Sequence, residues 1–236
     1  MALEYRNELK YVVSIQQMAV LRNRIRFLMA LDDHVGEKGK YTIRSVYFDD
    51  YRNTCFYENE NGTSPREKFR IRIYNGDGKT ARLELKRKEG GKIHKDACIL
   101  SEEQSLAFLK GKGLTSGKGS SPLLRKFVIK YQSELYRPKV IVEYDREPYV
   151  YSVGNVRVTF DTDIRSSDHV ETFFGKDLFT RPIMPVGYHL MEVKYDEFLP
   201  DVIYNSLQIG SLSQETFSKY YLCRRYNIGG VKKNGF

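Results

Sequence analysis

Arg66-Glu67-Lys68-Phe69-Arg70-Ile71-Arg72-Ile73-Tyr74 and, across a glycine-containing turn at 75–79, Thr80-Ala81-Arg82-Leu83-Glu84-Leu85-Lys86-Arg87-Lys88 form the stretch that decides the fold. Side chains on a strand alternate between its faces, so Lys68, Arg70 and Arg72 share one face while Phe69, Ile71 and Ile73 share the other. The returning strand repeats the division, with Arg82, Glu84, Lys86 and Lys88 against Ala81, Leu83 and Leu85. Two neighbouring strands thus present a wall of guanidinium and ammonium groups backed by an apolar layer. One such hairpin is equally compatible with a solvated face over an ordinary core.

The Gly90-Gly91 turn leads to a third strand, Lys92–Leu100, which completes an antiparallel meander. The same division recurs elsewhere. Glu8 and Lys10 share a face in a strand at 5–13, and Glu143 and Asp145 oppose Val142, Tyr144 and Arg146 at 139–147. Arg157, Thr159, Asp161 and Asp163 oppose Val158 and Phe160 at 156–164, and Glu192 and Lys194 oppose Met191 and Val193 at 189–197. Tyr41–Asp49, rich in β-branched and aromatic residues, is a further strand ending at the Asp49-Asp50 turn signal. Helices are predicted at 14–31 with Ser14 as cap, at 101–110, 122–132, 199–209 and 214–225, and a glycine- and serine-rich loop at 111–121 is the one hinge or lid candidate. The expected class is α+β. An open sheet with helices on its apolar side satisfies the pattern, and so does a closed antiparallel barrel with a charged lumen and helices packed outside. Only the barrel makes the basic groups converge.

The chain has 236 residues, 41% of them hydrophobic, enough for one large domain, and 39 Lys plus Arg against 30 Asp plus Glu give a formal charge of +9. That surplus biases the protein toward polyanions. No apolar run approaches the roughly 20 residues of a spanning helix, and Glu4, Arg6, Glu8 and Lys10 replace an apolar leader, so a cytoplasmic protein is expected. Cys55, Cys98 and Cys223 suit neither a disulfide framework nor a zinc site and are expected as reduced thiols. No phosphate-binding glycine loop, dinucleotide fingerprint or nucleophile elbow occurs, and His34, His94, His169 and His189 lack metal-ligand spacing.

A linear array of phosphates needs several cations at once: arginine forks grip phosphoryl oxygens bidentately and lysines act as point charges. Carboxylates among them are useful where a divalent metal sits beside phosphate oxygens, which makes Glu84, Glu143 and Glu192 candidate metal ligands, with salt-bridge partnership as the plainer role. Single-stranded nucleic acid on a barrel, with some of the 18 tyrosines stacking bases, is a rival; a helix-based reader of duplex DNA fits poorly because the basic residues lie on strands.

Glu8-x-Lys10, Arg44-Ser45-Val46-Tyr47-Phe48-Asp49, Lys68-Phe69-Arg70-Ile71-Arg72, Leu83-Glu84-Leu85-Lys86, Val142-Glu143-Tyr144-Asp145-Arg146, Val156-Arg157-Val158-Thr159-Phe160-Asp161, Met191-Glu192-Val193-Lys194 and Phe217-Ser218-Lys219-Tyr220 together resemble the VTC domain. This is the polyphosphate-polymerising branch of the CYTH or triphosphate tunnel metalloenzyme superfamily, and the resemblance spans 5–226. It implies an antiparallel β-tunnel over a single domain, 1–236, that transfers the terminal phosphoryl group of ATP to a growing polyphosphate chain with Mn2+ or Mg2+ as cofactor. Arg70, Arg72, Lys86, Arg146, Arg157 and Lys219 would be its catalytic residues, Glu8, Lys10, Arg44, Lys95 and Lys194 would bind substrate, and Glu192 would be the principal metal ligand. The superfamily's opening Glu-x-Glu-x-Lys reads Arg6-x-Glu8-x-Lys10 here, which argues against the triphosphatase and cyclase-like branches and suits the polymerase branch. The implied partners are ATP and inorganic polyphosphate, with no specific nucleic acid. A free-standing protein is expected, a membrane-associated partner is compatible but not identified, and Lys110, Lys112, Lys118 and Lys130 would guide long chains or simply solubilise the surface. An inorganic or nucleoside triphosphatase and a non-catalytic polyphosphate-binding module are the alternatives on the same tunnel.

Overall fold

The computed structural model describes residues 6–112, 117 and 119–229. The expected strand start at Tyr5, positions 113–116 of the glycine-rich loop and Lys118 lie outside the described residues. The chain runs β1 (Asn7–Ser14), α1 (Ile15–Ile25), β2 (Ala30–Leu31), β3 (Tyr41–Asp49), α2 (Thr54–Glu60), β4 (Arg66–Tyr74), β5 (Asp77–Glu89), β6 (Lys92–Leu100) and α3 (Glu102–Leu109). It continues through α4 (Pro122–Ser133), β7 (Arg137–Tyr151), β8 (Val156–Ser167), β9 (Arg181–Pro182), β10 (Tyr188–Tyr195), α5 (Asp201–Ser206) and α6 (Lys219–Gly229).

Local chemistry sets these boundaries. Ser14 with Gln17 and Ser101 with Gln104 form reciprocal capping boxes that start α1 and α3. The β4–β5 turn is tighter than expected, because Asn75 and Gly76 both take the left-handed backbone a two-residue hairpin requires, with φ of 52° and 71°. The predicted helix at 14–31 stops at Ile25, and Ala30 and Leu31 pair instead with Val150 and Tyr149 of β7. α2 was not foreseen: Asp49 and Asp50 end β3 but also accept from the N–H groups of Cys55 and Thr54 at 2.9 Å, satisfying donors at the helix start.

Every strand pairing is antiparallel, in the order β1-β10-β8-β7-β3-β4-β5-β6, with β2 on β7 and β9 on β8. The sheet curls until its edges meet, where Arg6 and Ile93 exchange backbone hydrogen bonds of 3.0 and 3.1 Å. The barrel is joined at this bridge and is not laddered along the seam. Further along β1, Tyr11 bridges Gln214 and the Glu215 N–H donates to the Lys10 carbonyl at 2.8 Å, so 214–218, predicted as the first turns of the last helix, is extended.

The apolar strand faces point outward. α1 and α5 cover Val13, Val158, Phe160, Met191 and Val193, while α3 and α4 cover Phe48, Phe69, Ile71 and Leu83. Phe127 of α4 sits among Phe48, Phe69 and Phe108 at centroid distances of 5.0, 5.0 and 4.8 Å. α2 and α6 depart from the expected outer layer, since Asn59, Lys219 and Tyr220 reach the lumen. Among the described residues no helix is long and apolar enough to cross a membrane.

Candidate functional site

The curl encloses a cavity of about 560 Å³. Strand alternation turns Lys68, Arg70 and Arg72 of β4 and Lys86 and Lys88 of β5 into it, opposite Glu8 and Lys10 of β1 and Glu192 and Lys194 of β10. Arg146 of β7, Arg157 of β8, Lys95 of β6 and Lys219 at the start of α6 complete the basic lining. The catalytic set expected from the sequence, and Glu8, Lys10, Lys95, Lys194 and Glu192, are therefore brought together around one space.

Most of these cations are held by buried carboxylates. Arg70 donates to Glu84 Oε2 through Nε at 2.7 Å and to the Tyr47 hydroxyl at 2.8 Å, and Lys95 reaches Glu84 Oε1 at 2.5 Å. Arg146 grips Asp161 with two bonds of 2.7 Å and reaches Glu192 at 3.1 Å. Lys219 lies 2.6 Å from Asp161 and 2.9 Å from Glu192. Across β1 and β10, Glu8 faces Lys194 and Lys10 faces Glu192, an alternating square whose ion pairs span 3.2–3.6 Å. Burial pushes the Glu192 carboxyl up, but Lys219, Lys194, Lys10 and Arg146 outweigh it and hold it well below the usual carboxylate range. Glu8 is held low in the same way, against its burial, by Lys10, Lys86 and Lys194. Both stay anionic in a cavity whose other charges are chiefly positive.

Three expectations are corrected. Arg44 and Glu143 face away from the cavity: Arg44 Nε donates to Glu143, its Nη1 donates to the carbonyls of Phe173 and Gly175 at 2.9 and 2.7 Å, and Arg165 adds bonds to Glu143 at 3.0 and 2.8 Å. The reason is parity. Glu143 and Arg146 are an odd number of residues apart on β7, so only one can enter the lumen, and on β3 the inward positions are Tyr41, Ile43 and Tyr47. Glu84, expected as a metal ligand, is fully buried beneath Arg70, Arg72 and Lys95 and is not in the lining.

Lumen residues outside the expected set include Arg66, Lys68, Lys88, Tyr47 and Tyr144. The parity of β4 and β5 already placed Lys68 and Lys88 on this face, and the same alternation extends to Arg66. Ser218 was missed as the start of α6; its hydroxyl accepts from the Tyr221 N–H at 3.3 Å. Burial, followed by the charge of Arg66, pushes the Lys68 ammonium down to about 7.

A divalent metal fits this donor set in one manner. Among the described residues no three His, Cys, Asp or Glu side chains converge as a cage. Glu192 and Glu8 are hard oxygen donors kept ionised, and the buried Thr159 hydroxyl, paired in register with Glu192, has no hydrogen-bond partner. Magnesium-like ions are commonly held by one or two carboxylates together with substrate phosphates, which this set allows.

A family model described as the VTC domain matches residues 5–226. Curated proteins give no match. Among solved structures, a protein from Bacillus halodurans provisionally described as an adenylate cyclase superposes with a TM-score of 0.53 at 16% identity, covering 92% of this chain and 96% of that one. A Hippeastrum protein, provisionally an adenylyl cyclase and described as having a dominant triphosphatase activity, gives 0.51 at 14% identity, covering 93% and 95%. At these identities the likeness is one of fold.

Proposed function

The chain belongs to the VTC domain family of the CYTH, or triphosphate tunnel, superfamily, and on that premise we propose that it is a cytoplasmic, ATP-dependent polyphosphate polymerase with one catalytic domain over 1–236. The observation that carries the reading is the convergence of Arg70, Arg72, Lys86, Arg146, Arg157 and Lys219 on one cavity. In the proposed reaction a terminal oxygen of the acceptor chain attacks the γ-phosphorus of ATP. The new P–O bond forms as the bond to the β-phosphate oxygen breaks, and ADP leaves with that electron pair. The acceptor oxygen is already ionised, so no protein base is assigned.

Arginine forks and lysine ammonium groups would align donor and acceptor phosphates and offset the charge on the transferred oxygens. Glu192, with Glu8 beside it, would hold Mn2+ or Mg2+, which neutralises phosphate charge when bound. Lys10, Lys95 and Lys194 would hold the remaining substrate phosphates. Incubation with ATP and Mn2+ is expected to yield ADP together with acid-insoluble phosphate. An Arg70→Ala, Arg72→Ala variant is expected to lose more than about 10² in turnover, roughly 3 kcal/mol of transition-state stabilisation. Unchanged turnover in that variant would reject the assignment.

A second reading is hydrolysis of a triphosphate in the same cavity, with water as acceptor; the described activity of the Hippeastrum protein favours it. Orthophosphate release without chains would select it.

A further inference from the structure

The lumen wall is not uniform. Across β1 and β10 the inward charges alternate in sign, whereas across β4 and β5 Arg66 faces Lys88 and Lys68 faces Lys86, and Lys86 in turn faces Lys95 on β6. Like charges directly opposite each other on antiparallel strands destabilise a sheet. Lys86 and Lys95 are relieved by Glu8 at 2.9 Å and Glu84 at 2.5 Å. Arg66, Lys68 and Lys88 have no carboxylate within ion-pair distance among the described residues. Lys68 Nζ has only neutral oxygens, the Asn59 side-chain carbonyl and the Ser218 hydroxyl at 3.3 Å, and lies 5.1 Å from the Tyr220 ring centroid. Arg66 donates to the Thr63 carbonyl at 2.9 Å. Glu67, the acid nearest in sequence, is on the opposite face, engaged by Arg87 and Lys126 at 2.7 Å.

We propose that Arg66, Lys68 and Lys88 form an acceptor subsite that holds the phosphates of an inorganic polyphosphate chain, separate from the carboxylate-bearing part of the lumen where the donor triphosphate and its metal sit. The inference rests on the polymerase reading and divides its site in two. Carboxylates are tolerable where a divalent cation bridges them to phosphate, and they repel a chain that enters without one. Glu58 and Glu8 act on Arg66 and Lys88 only from beyond ion-pair distance, so a trio without a direct carboxylate partner on two adjacent strands costs stability in the empty protein and is offset when several anionic groups arrive together. A long chain can place phosphates on the trio in addition to those held at the metal-binding part, so it gains more from the trio than a triphosphate does.

The test compares affinity for long-chain polyphosphate and for tripolyphosphate, both with Mn2+, by calorimetric titration of the full chain and of Lys68→Met and Lys88→Gln. Each variant is expected to lose about tenfold or more of its preference for the long chain over tripolyphosphate, with a melting temperature at or above that of the parent because a repulsion is removed. Equal losses for both ligands, or no loss for either, would overturn the subsite. Equal competition by a single-stranded oligonucleotide would also overturn it, assigning the trio to nucleic acid. Chain preference that falls as expected in a protein that makes no polyphosphate would strike the polymerase reading and leave the subsite standing.

Discussion

Lys219 shows how much one residue of this lumen carries. Its ammonium lies within 3 Å of both Asp161 and Glu192, two carboxylates buried to 0% and 4% exposure. Lys219→Met leaves both without that partner, and removing one member of a buried ion pair typically costs about 3–5 kcal/mol. Urea unfolding should show the midpoint falling accordingly, and activity should fall with it. A midpoint within experimental error of the parent would mean that Arg146, with Lys10 and Lys194 on Glu192, satisfies both acids. At this scale the sequence was most legible where alternation was strict: Arg70, Arg72 and Lys86 could be placed on a common face from spacing alone. It misled at Arg44, where a motif outweighed strand parity, and at Glu143, where the usefulness of a carboxylate beside phosphate did, and it was silent on Asp161, whose role depends on a cation contributed 58 residues later by α6.

Elements are held by two kinds of contact. Asp49, fully buried, accepts from the N–H groups of Asp50 and Cys55 at 2.9 Å and from the Tyr220 hydroxyl at 2.5 Å, so the end of β3 fixes both α2 and the first turn of α6 that presents Lys219. α4 is held by aromatic packing. Phe127→Ala opens a cavity between Phe48, Phe69 and Phe108 and is expected to cost about 3–5 kcal/mol. The measurement is the chemical denaturation midpoint at constant m-value; a loss under 1 kcal/mol would mean that the cluster collapses onto the gap. Strands β3 and β6 had the boundaries expected from their composition. The segment 214–218 did not, because apolar spacing does not reveal whether its N–H groups find carbonyls one turn back or on the free edge of β1. α2 was invisible for the complementary reason: the acceptors of its first N–H groups are the same two acids that mark the end of a strand.

For the molecule as a whole, alternation specifies which side chains share a face but not how far the sheet bends, so alternation alone left open sheet and barrel equivalent, and the resemblance to the VTC domain decided for the barrel. The Arg6–Ile93 bridge, the 214–218 segment beside β1 and the entry of α6 into the lumen make the difference. The assembled lumen also sets the pH response. Lys68, Lys86 and Lys95 are each pushed down to about 7, first by burial, while unfolded lysines titrate near 10.4. Between those limits the folded protein binds fewer protons than the unfolded chain, so their contribution makes stability rise with pH. The ligand-free protein is expected to melt higher at about pH 9 than at about pH 7, and saturating polyphosphate should reduce or reverse that difference by favouring the charged ammonium groups. The acids respond oppositely. Glu8, Glu84 and Glu192 are held below their unfolded values, so the stability they lend is present above the unfolded carboxylate range and is lost as pH falls below it. A melting temperature that falls from pH 7 to pH 9 would contradict the lysine account.

The most direct measurement of the central claim follows the γ-phosphate of ATP, carried as a radiolabel through incubation with the purified protein and Mn2+ and resolved on a gel. The account predicts a ladder of labelled chains appearing with ADP, and its loss in the Arg70→Ala, Arg72→Ala variant. Label recovered only as orthophosphate, at a rate sensitive to the same substitutions, would contradict polymerisation and assign the lumen to triphosphate hydrolysis.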